Sequence, residues 1–515
     1  MNSKYNKTII FSLLLVLCMS VAVAADVTEE TTDDITIENN DNEIATSYNN
    51  MDYENNLEEN TRSVNPITTD VVIDNTYDNQ VFDVSSNVRI TSGVAQSNNI
   101  AFNLNGNNIT IDGLNIVNDE TQPIVINALP NSNHISIINT NITVVNTEET
   151  KTMAIILNNT QNSLVENCKV DFSAVSQPLY VYNETTGGYD YFFNTSAILT
   201  DGGNNITINN NTVHISNSTS NGSFSGTGEA ITVRFDANNV NVINNNVTGE
   251  GFPYVYGINI YGVSNLVLIE NNTVNLTSGN YIGGIQLTST SNSIIRRNTI
   301  TGTCFAGSGQ CAGLEASAYG IVLSSSYKPT ASESTNNLIE YNDIDLSANV
   351  TYGIELNIAD STRVFNNTVD VDGDVVMALG IYNSSYCQIK DNNFTVTGNT
   401  RELHPYFYEA IPPVTTGIKI VSDGNKTSEY NIITGNRINV QDTNNTDLYS
   451  IILESNVNNN TVNYNFLRAG NKRDVNSMIL NNGSENIISN NTRLTWWKIL
   501  KFSLVFFSYF YFLLA

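Results

Sequence analysis

The stretch Ile269-Glu-Asn-Asn-Thr-Val274 is one copy of a six-residue phrase that recurs through the chain. Each copy begins and ends with an apolar residue, and its fourth position is Asn in every copy after the first. From Val165 onward the copies read VENCKV, INNNTV, VINNNV, IENNTV, IRRNTI, IEYNDI, VFNNTV, IKDNNF, ITGNRI and VNYNFL. The fourth positions are Cys168, Asn211, Asn245, Asn272, Asn298, Asn342, Asn367, Asn392, Asn436 and Asn465.

A second phrase alternates with the first. It begins with Gly, Ala or Ser and continues with aliphatic residues, as in AITV at Ala230, GINI at Gly257 and GIEL at Gly353. Successive copies from Ala230 start 27, 27, 36, 33 and 27 residues apart. One unit is therefore about 27 residues plus an optional loop, which indicates a solenoid rather than several globular domains.

Each unit contains short runs of alternating apolar residues, the periodicity of β-strands. Stacking equivalent strands of successive units in parallel would give one continuous apolar interior. The recurring Asn then lies at the same bend of every coil, where it tolerates a left-handed backbone. Stacked amides can also hydrogen-bond to one another along the column. We predict an all-β parallel solenoid of about thirteen coils with an Asn ladder that begins near Asn211.

The paired phrases resemble the right-handed parallel β-helix repeat family, which includes NosD-like and pectate-lyase-like solenoids. The resemblance covers about Val64 to Thr495 and implies a right-handed single-stranded β-helix. The stretches DVVIDNTY at Asp70 and NNITIDGLNI at Asn107, with the abundant Asn and the two N-terminal segments described next, resemble adhesin-like surface proteins of methanogenic archaea. That likeness implies a cell-surface protein.

The composition divides the chain into four parts. Residues 1–25 have the layout of a secretory signal, with a retained membrane anchor as the alternative. Residues 26–63 are acidic and predict a disordered linker. Residues 64–495 hold the β-helix. The hydrophobic residues 496–515 are either a membrane anchor or the end of a truncated chain.

The charge of the chain limits its partners, and its cysteines allow one disulfide. A formal net charge of -28 would repel a phosphate backbone, so nucleic acid is not expected as a partner. Glycans, surface proteins of neighbouring cells and the cell envelope are expected instead. Cys304 and Cys311 bracket a Gly-containing loop and could form a disulfide in an exported protein.

Aromatic residues are concentrated in the segments between the Asn phrase and the Gly phrase. Tyrosine has a flat apolar face and a polar tip, which suits contacts with sugars and proteins. These loops predict a recognition face, with shielding of the rod's flank as the alternative. The candidate ligand-binding residues are Tyr180, Tyr182, Tyr189, Tyr191, Tyr254, Tyr256, Tyr406 and Tyr408.

Evidence for catalysis or metal binding is sparse. Asp370, Asp372 and Asp374 could bind Ca²⁺ through oxygen ligands, although a solvated acidic turn also fits. Glu355 and Arg234 are expected to face solvent on strands, and neither has an evident partner. We therefore assign no catalytic residue and expect no cofactor other than this possible Ca²⁺. The leading hypothesis is a non-enzymatic exported adhesin-like rod; the alternatives are a polysaccharide lyase or hydrolase, and a structural spacer.

Overall fold

The computed structural model describes residues 64–495, apart from fifteen short gaps. The gaps are residues 75–76, 120–123, 147–151, 176, 179, 184–187, 192–194, 218–225, 236, 263–264, 305–315, 326–333, 401–413, 424–425 and 446. The expected signal segment, the acidic linker and the hydrophobic tail lie outside the described residues. Within the described residues, no helix has the length and apolarity needed to cross a membrane.

The chain is a right-handed parallel β-helix, as the repeat predicts. Each coil contributes one strand to a 15-stranded sheet and, in most coils, two strands to a 29-stranded sheet. We call these the narrow sheet and the wide sheet. The structure thus describes fifteen coils, whereas the sequence predicts about thirteen. With a rise of about 4.8 Å per coil, the fifteen coils span about 70 Å.

The narrow sheet is built entirely of parallel pairs. In order, its strands are β2 (Val71–Ile73), β4 (Val88–Ser92), β6 (Asn107–Asp112), β9 (Asn133–Ile138), β12 (Gln161–Glu166), β18 (Asn204–Asn209), β21 (Asn238–Ile243), β24 (Asn265–Glu270), β27 (Ile294–Arg296), β30 (Leu338–Glu340), β33 (Arg363–Phe365), β36 (Gln388–Lys390), β39 (Ile432–Thr434), β42 (Thr461–Asn463) and β45 (Ile487–Ser489).

The wide sheet receives the strand that follows each Asn corner. These strands are β7 (Asn115–Asp119), β10 (Asn141–Val145), β13 (Lys169–Ala174), β19 (Thr212–Asn217), β22 (Asn246–Glu250), β25 (Thr273–Ser278), β28 (Thr299–Cys304), β31 (Asp343–Ser347), β34 (Thr368–Gly373), β37 (Asn393–Gly398), β40 (Arg437–Asp442), β43 (Phe466–Ala469) and β46 (Thr492–Arg493).

The wide sheet also receives the strands that carry the Gly phrase, which we call the Gly strands. They are β8 (Ile124–Ala128), β11 (Met153–Asn158), β17 (Thr195–Asp201), β20 (Gly226–Arg234), β23 (Tyr254–Tyr261), β26 (Tyr281–Thr288), β29 (Ser317–Ser324), β32 (Val350–Asn357), β35 (Val375–Tyr382), β38 (Thr415–Val421), β41 (Tyr449–Leu453) and β44 (Ile479–Asn481). The first coils add β1 (Val64–Ile67), β3 (Asp78–Val84) and β5 (Ser97–Leu104), and β14 (Gln177–Pro178) pairs antiparallel with β20. A 3₁₀ turn covers Asn476–Met478.

The interior is one continuous apolar core. It runs from Ile67 in the first coil to Ile479 near the last and is built mainly of Ile, Val and Leu. Strand alternation places these residues inward, and parallel stacking aligns each with the equivalent residue of the next coil. The small first residue of the Gly phrase also points inward. A Cβ added at Gly320 would lie 2.4 Å from the Gly353 carbonyl oxygen, which explains why Gly begins the phrase in this coil.

The predicted Asn ladder is present and starts at Asn211. In each step the backbone N–H and the side-chain Nδ2 of one Asn donate to Oδ1 of the next, and Nδ2 also donates to a core carbonyl. For Asn272 these donor distances are 2.9 Å to Asn298 Oδ1 from both nitrogens and 2.8 Å to Val242 O. The column extends one residue beyond the prediction, to Asn491.

The left-handed residue at this corner is not the ladder Asn but the residue before it. Positive φ occurs at Asn210, Asn244, Asn271, Arg297 and Tyr341, each directly preceding a ladder position. The expectation that the ladder Asn itself takes the left-handed conformation is therefore wrong. The ladder side chain must point inward to reach the next amide, and the preceding residue makes the turn instead.

A second polar corner, which the sequence reading missed, precedes the narrow-sheet strands. Here the backbone N–H of Cys387 donates to Asn431 Oδ1, Asn431 to Asn460 Oδ1 and Asn460 to Asn486 Oδ1, at 2.8 to 2.9 Å. The signal was an Asn directly before a short apolar strand, as in Asn431-Ile-Ile. Both bends of the narrow sheet are thus closed by the same chemistry.

We predict that Asn272→Ala lowers the free energy of unfolding by about 1 to 3 kcal/mol, because it leaves buried partners of the ladder without hydrogen bonds. Urea unfolding of the full chain measures this loss. The matched control is Asn275→Ala on the exposed face of the adjacent strand, which should change stability by less than about 0.5 kcal/mol. Equal effects of the two substitutions would show that the ladder is not a special source of stability.

Candidate functional site

The outward face of the Gly strands carries a second cluster of buried side chains, separate from the main core. It comprises Tyr256, Tyr281, Tyr319, Val322, Val350, Tyr352, Val375 and Met377, with Tyr254, Tyr382 and Val414 at its edge. The cause lies in the sequence. Because the Gly of each phrase points inward, the residue before it points outward, and that residue is Tyr in the three copies of Tyr-Gly-Ile, at Tyr256, Tyr319 and Tyr352.

The tyrosine rings of this outer cluster follow one another along the rod. The centroids of Tyr256 and Tyr281 lie 5.5 Å apart, those of Tyr281 and Tyr319 5.3 Å, and those of Tyr319 and Tyr352 4.9 Å with nearly parallel planes. Gly283 interrupts the row of Tyr256, Tyr319 and Tyr352. A Cβ there would lie 2.8 Å from the Tyr256 ring, so the missing side chain lets the neighbouring rings close over it.

Glu355 lies in the same face, and the residue is 6 % exposed. Burial raises the pKa of Glu355 to about 7, and a hydrogen bond from the Asn357 side chain offsets part of that effect. Burial also raises the pKa of Tyr319 and Tyr281, with the nearby Glu355 charge as a further cause. A carboxyl group that exchanges its proton near neutral pH is suited to acid–base chemistry.

A polar network continues this face toward the N-terminal coils. The Glu229 carboxylate accepts hydrogen bonds from Thr232 Oγ1 at 2.5 Å, Asn259 Nδ2 at 3.1 Å and Ser196 Oγ at 3.2 Å. At the end of β20, the strand that also carries Glu229, Arg234 Nη2 lies 2.9 Å from Asp201 Oδ2, and the Arg234 side chain is 2 % exposed. Buried charges of this kind are stable only when paired.

These positions correct two sequence expectations. Arg234 and Glu355 were expected to face solvent without partners, but both are buried and both are hydrogen-bonded. Tyr256, a candidate ligand-binding residue, is 3 % exposed and packs against Tyr281, and its ligand-binding role stays a prediction. Its neighbour Tyr254 is only half-buried and lies 5.9 Å from the Tyr281 ring centroid.

Tyr180, Tyr182, Tyr189 and Tyr191 lie between β13 and β17, the two wide-sheet strands of one coil. Tyr180 and Tyr182 are in β15 (Tyr180–Asn183), and Tyr189 and Tyr191 are in β16 (Gly188–Tyr191). The two strands form an antiparallel hairpin with Tyr180 opposite Tyr191 and Tyr182 opposite Tyr189, as a sheet separate from the rod. Tyr406 and Tyr408 lie outside the described residues.

The structure does not bring the three candidate calcium ligands together. Asp370 and Asp372 are exposed on β34, whereas Asp374 is buried and accepts a hydrogen bond from Asn349 Nδ2 at 2.9 Å. Across the described part of the chain, no group of three or more His, Cys, Asp or Glu side chains is arranged to hold a metal ion. Strand alternation explains the exposure of Asp370 and Asp372, because residues two apart share the outward face.

Cys168 and Cys387 are buried thiols. Burial raises the pKa of the Cys168 thiol to about 11 and that of Cys387 to about 12. Cys168 takes the ladder position before Asn211, and its backbone N–H donates to Asn211 Oδ1 at 2.9 Å. Cys304 is also buried, but Cys311 lies outside the described residues, so their disulfide stays a prediction.

Comparison with known proteins extends to the fold alone. No protein-family model matches the sequence, and no curated protein matches it. Similar solved structures include the A-module of the Azotobacter vinelandii mannuronan C-5 epimerase AlgE6, with 11 % identity, a TM-score of 0.44 and coverage of 76 % of this chain and 91 % of that one. The Dettilon tailspike protein shares 14 % identity at a TM-score of 0.33, with 83 % of this chain covered. The chain spans 61 % of the tailspike's length.

A third similar structure is the Streptococcus pneumoniae surface protein and adhesin PfbA. It shares 14 % identity at a TM-score of 0.30, with coverage of 65 % of this chain and 88 % of that one. With identities of 11 to 14 % and TM-scores below 0.5, these comparisons assign neither a family nor a function to this chain.

We predict that the free energy of unfolding falls as the pH rises from about 4.5 to about 7. The folded-state pKa of Glu355 lies above its ordinary value of 4.5, so the folded chain binds more protons than the unfolded chain between these values. The loss amounts to about 3 kcal/mol. Urea unfolding at several pH values measures it.

The substitution Glu355→Gln should remove this decline and leave the chain more stable than the wild type at pH 8. The control Glu485→Gln changes an exposed carboxylate and should leave the decline in place. A decline that survives in Glu355→Gln would show that Glu355 is not the group responsible.

Proposed function

We propose that this chain is an exported, non-catalytic rod that carries glycan-binding tyrosines at the cell surface. The observation that carries the proposal is the hairpin of β15 and β16, in which four of eight residues are Tyr and the backbone register pairs Tyr180 with Tyr191 and Tyr182 with Tyr189. Tyrosine offers both ring faces and a hydroxyl group to a sugar.

The rod itself suits a display role. Its single core and two hydrogen-bonded corners link each coil to the next, so the shape is held over about 70 Å. Insertions between the two wide-sheet strands of a coil leave this stacking intact. The hairpin is such an insertion, between β13 and β17. A rigid scaffold with variable insertions is a common way to position recognition residues.

Charge and compartment complete the proposal. The net charge of -28 favours neutral ligands over nucleic acid or other polyanions. The signal-like residues 1–25 support export, and the apolar residues 496–515 support attachment to the cell envelope. Glycans or surface proteins of neighbouring cells are the partners that we propose.

A second candidate function is a polysaccharide lyase or hydrolase, and Glu355 favours it. A carboxyl group with a pKa near 7 beside several tyrosine hydroxyls could donate or accept a proton at neutral pH. Incubation with a panel of uronic-acid polysaccharides tests this candidate. Cleavage by the wild type that Glu355→Gln abolishes would establish the enzyme and overturn the non-catalytic rod.

We predict that replacing Tyr180, Tyr182 and Tyr406 with Ala abolishes binding to the glycans on an array that these loops contact, because the apolar faces that contact sugar rings are lost. The matched control replaces the same residues with Phe, which keeps the rings and should retain most of the binding. Binding unchanged by the Ala substitutions would refute the tyrosine loops as the recognition surface. Absence of binding by the wild type would favour the structural spacer.

A further inference from the structure

Two columns of left-handed residues flank the outward face of the narrow sheet. The column before the sheet includes Leu266, Asn292, Asn336, Ser361, Tyr386, Tyr430, Asn459 and Glu485. The column after it includes Asn271, Arg297, Tyr341, Asn366, Asp391, Gly435, Tyr464 and Asn490. Asn is the most frequent occupant because a left-handed backbone is strained for most other residues.

Four coils place tyrosine in these columns. The side chains of Tyr341, Tyr386, Tyr430 and Tyr464 are 53, 59, 49 and 59 % exposed. A bulky residue with positive φ is an outlier, and exposing an aromatic ring to water gives no compensating burial. The backbone preference does not account for tyrosine at these positions, so the explanation is to be sought in what each side chain contacts.

Tyr386 and Tyr430 form a stacked pair. Their ring centroids lie 5.3 Å apart and their planes differ by 13°. The two residues occupy neighbouring coils, since the backbone N–H of Tyr386 donates to the Glu429 carbonyl at 3.0 Å. The next residues of the column are Ser361 on one side and Asn459 on the other, and these short side chains are too small to extend the aromatic stack. The pair is therefore an isolated aromatic platform.

Polar and apolar groups adjoin this platform on the narrow sheet. Gln388 lies two residues beyond Tyr386 and pairs in register with Arg363 in the preceding coil and Ile432 in the following coil. All three are exposed. Gln388 and Arg363 supply hydrogen-bond donors, and Ile432 supplies a further apolar surface that is 42 % exposed.

We propose that the stacked pair Tyr386–Tyr430, with Gln388, Arg363 and Ile432, binds a neutral β-1,4-linked pyranose chain. Such a chain presents flat C–H faces to aromatic rings and hydroxyl groups at the rim to amide and guanidinium donors. The net charge of -28 favours a neutral chain over a uronate polymer. This site is on the narrow sheet and does not depend on the tyrosine loops of the proposed function.

Calorimetric titration of the full chain with cellohexaose, chitohexaose and mannohexaose tests the site. The wild type should bind at least one of these probes. The double variant Tyr386→Asn, Tyr430→Asn should lose at least tenfold in affinity while its melting temperature holds or rises, because Asn is the favoured residue at these backbone positions. The matched control, Tyr341→Asn with Tyr464→Asn, removes two unstacked exposed tyrosines and should bind as the wild type does.

Three results would overturn the proposal. The first is absence of binding to all three hexasaccharides by the wild type. The second is a lowered melting temperature of the Tyr386 and Tyr430 double variant, which would make the stack structural. The third is a dimer in sedimentation experiments that this variant abolishes, which would assign the face to a second copy of the chain. The loop variants at Tyr180 and Tyr182 keep this pair intact, so the failure of one site is distinguishable from the failure of the other.

Discussion

From Asn211 onward, a buried amide at the bend of each coil must have its hydrogen bonds satisfied, and the architecture depends on this constraint. An unsatisfied polar group in the interior costs about 1 to 3 kcal/mol. If ten corners each carried this cost, the folded state would not be stable. The ladder removes this cost because each Oδ1 accepts two hydrogen bonds from the Asn before it, and each Nδ2 reaches both an amide and a core carbonyl. Coils are thereby held in register, and insertions are confined to places that leave the corners intact.

The same stacking explains why the outward face of the Gly strands differs from the rest of the surface. The inward position of the small residue sets the orientation of its neighbours, so the residue before it lies on the outside of the rod and pairs with its equivalent in the next coil, as Tyr319 does with Tyr352. Where that residue is Tyr, the coil spacing brings rings within stacking distance. Glu355 is buried beside these rings, and its raised pKa follows from that position. A feature of the core thus produces a chemically distinct surface.

Sequence reasoning recovered the regular parts of this protein. The Asn phrase predicted the ladder residue by residue from Asn211 to Asn465, because each copy repeats one local geometry. It missed the second corner at Asn431 and Asn460, where Ser, Thr and Cys also occur and the pattern is diluted. The phrase also led us to expect the left-handed backbone at the ladder Asn, one residue after its actual position, because Asn is common at both the ladder position and the residue before it. It also treated Tyr256 as available to ligands, although its neighbours in other coils cover it.

The sequence by itself determined the repeat length, the strand order and the identity of the ladder, because these depend on periodicity and on residues close together in the chain. Only the tertiary structure decided which side chains meet across coils. Tyr386 and Tyr430 are 44 residues apart in sequence yet stack at 5.3 Å, and Glu355 is buried among tyrosines from other coils. Insertions of variable length separate these residues along the chain, so their contacts follow from the register of the coils and not from local spacing.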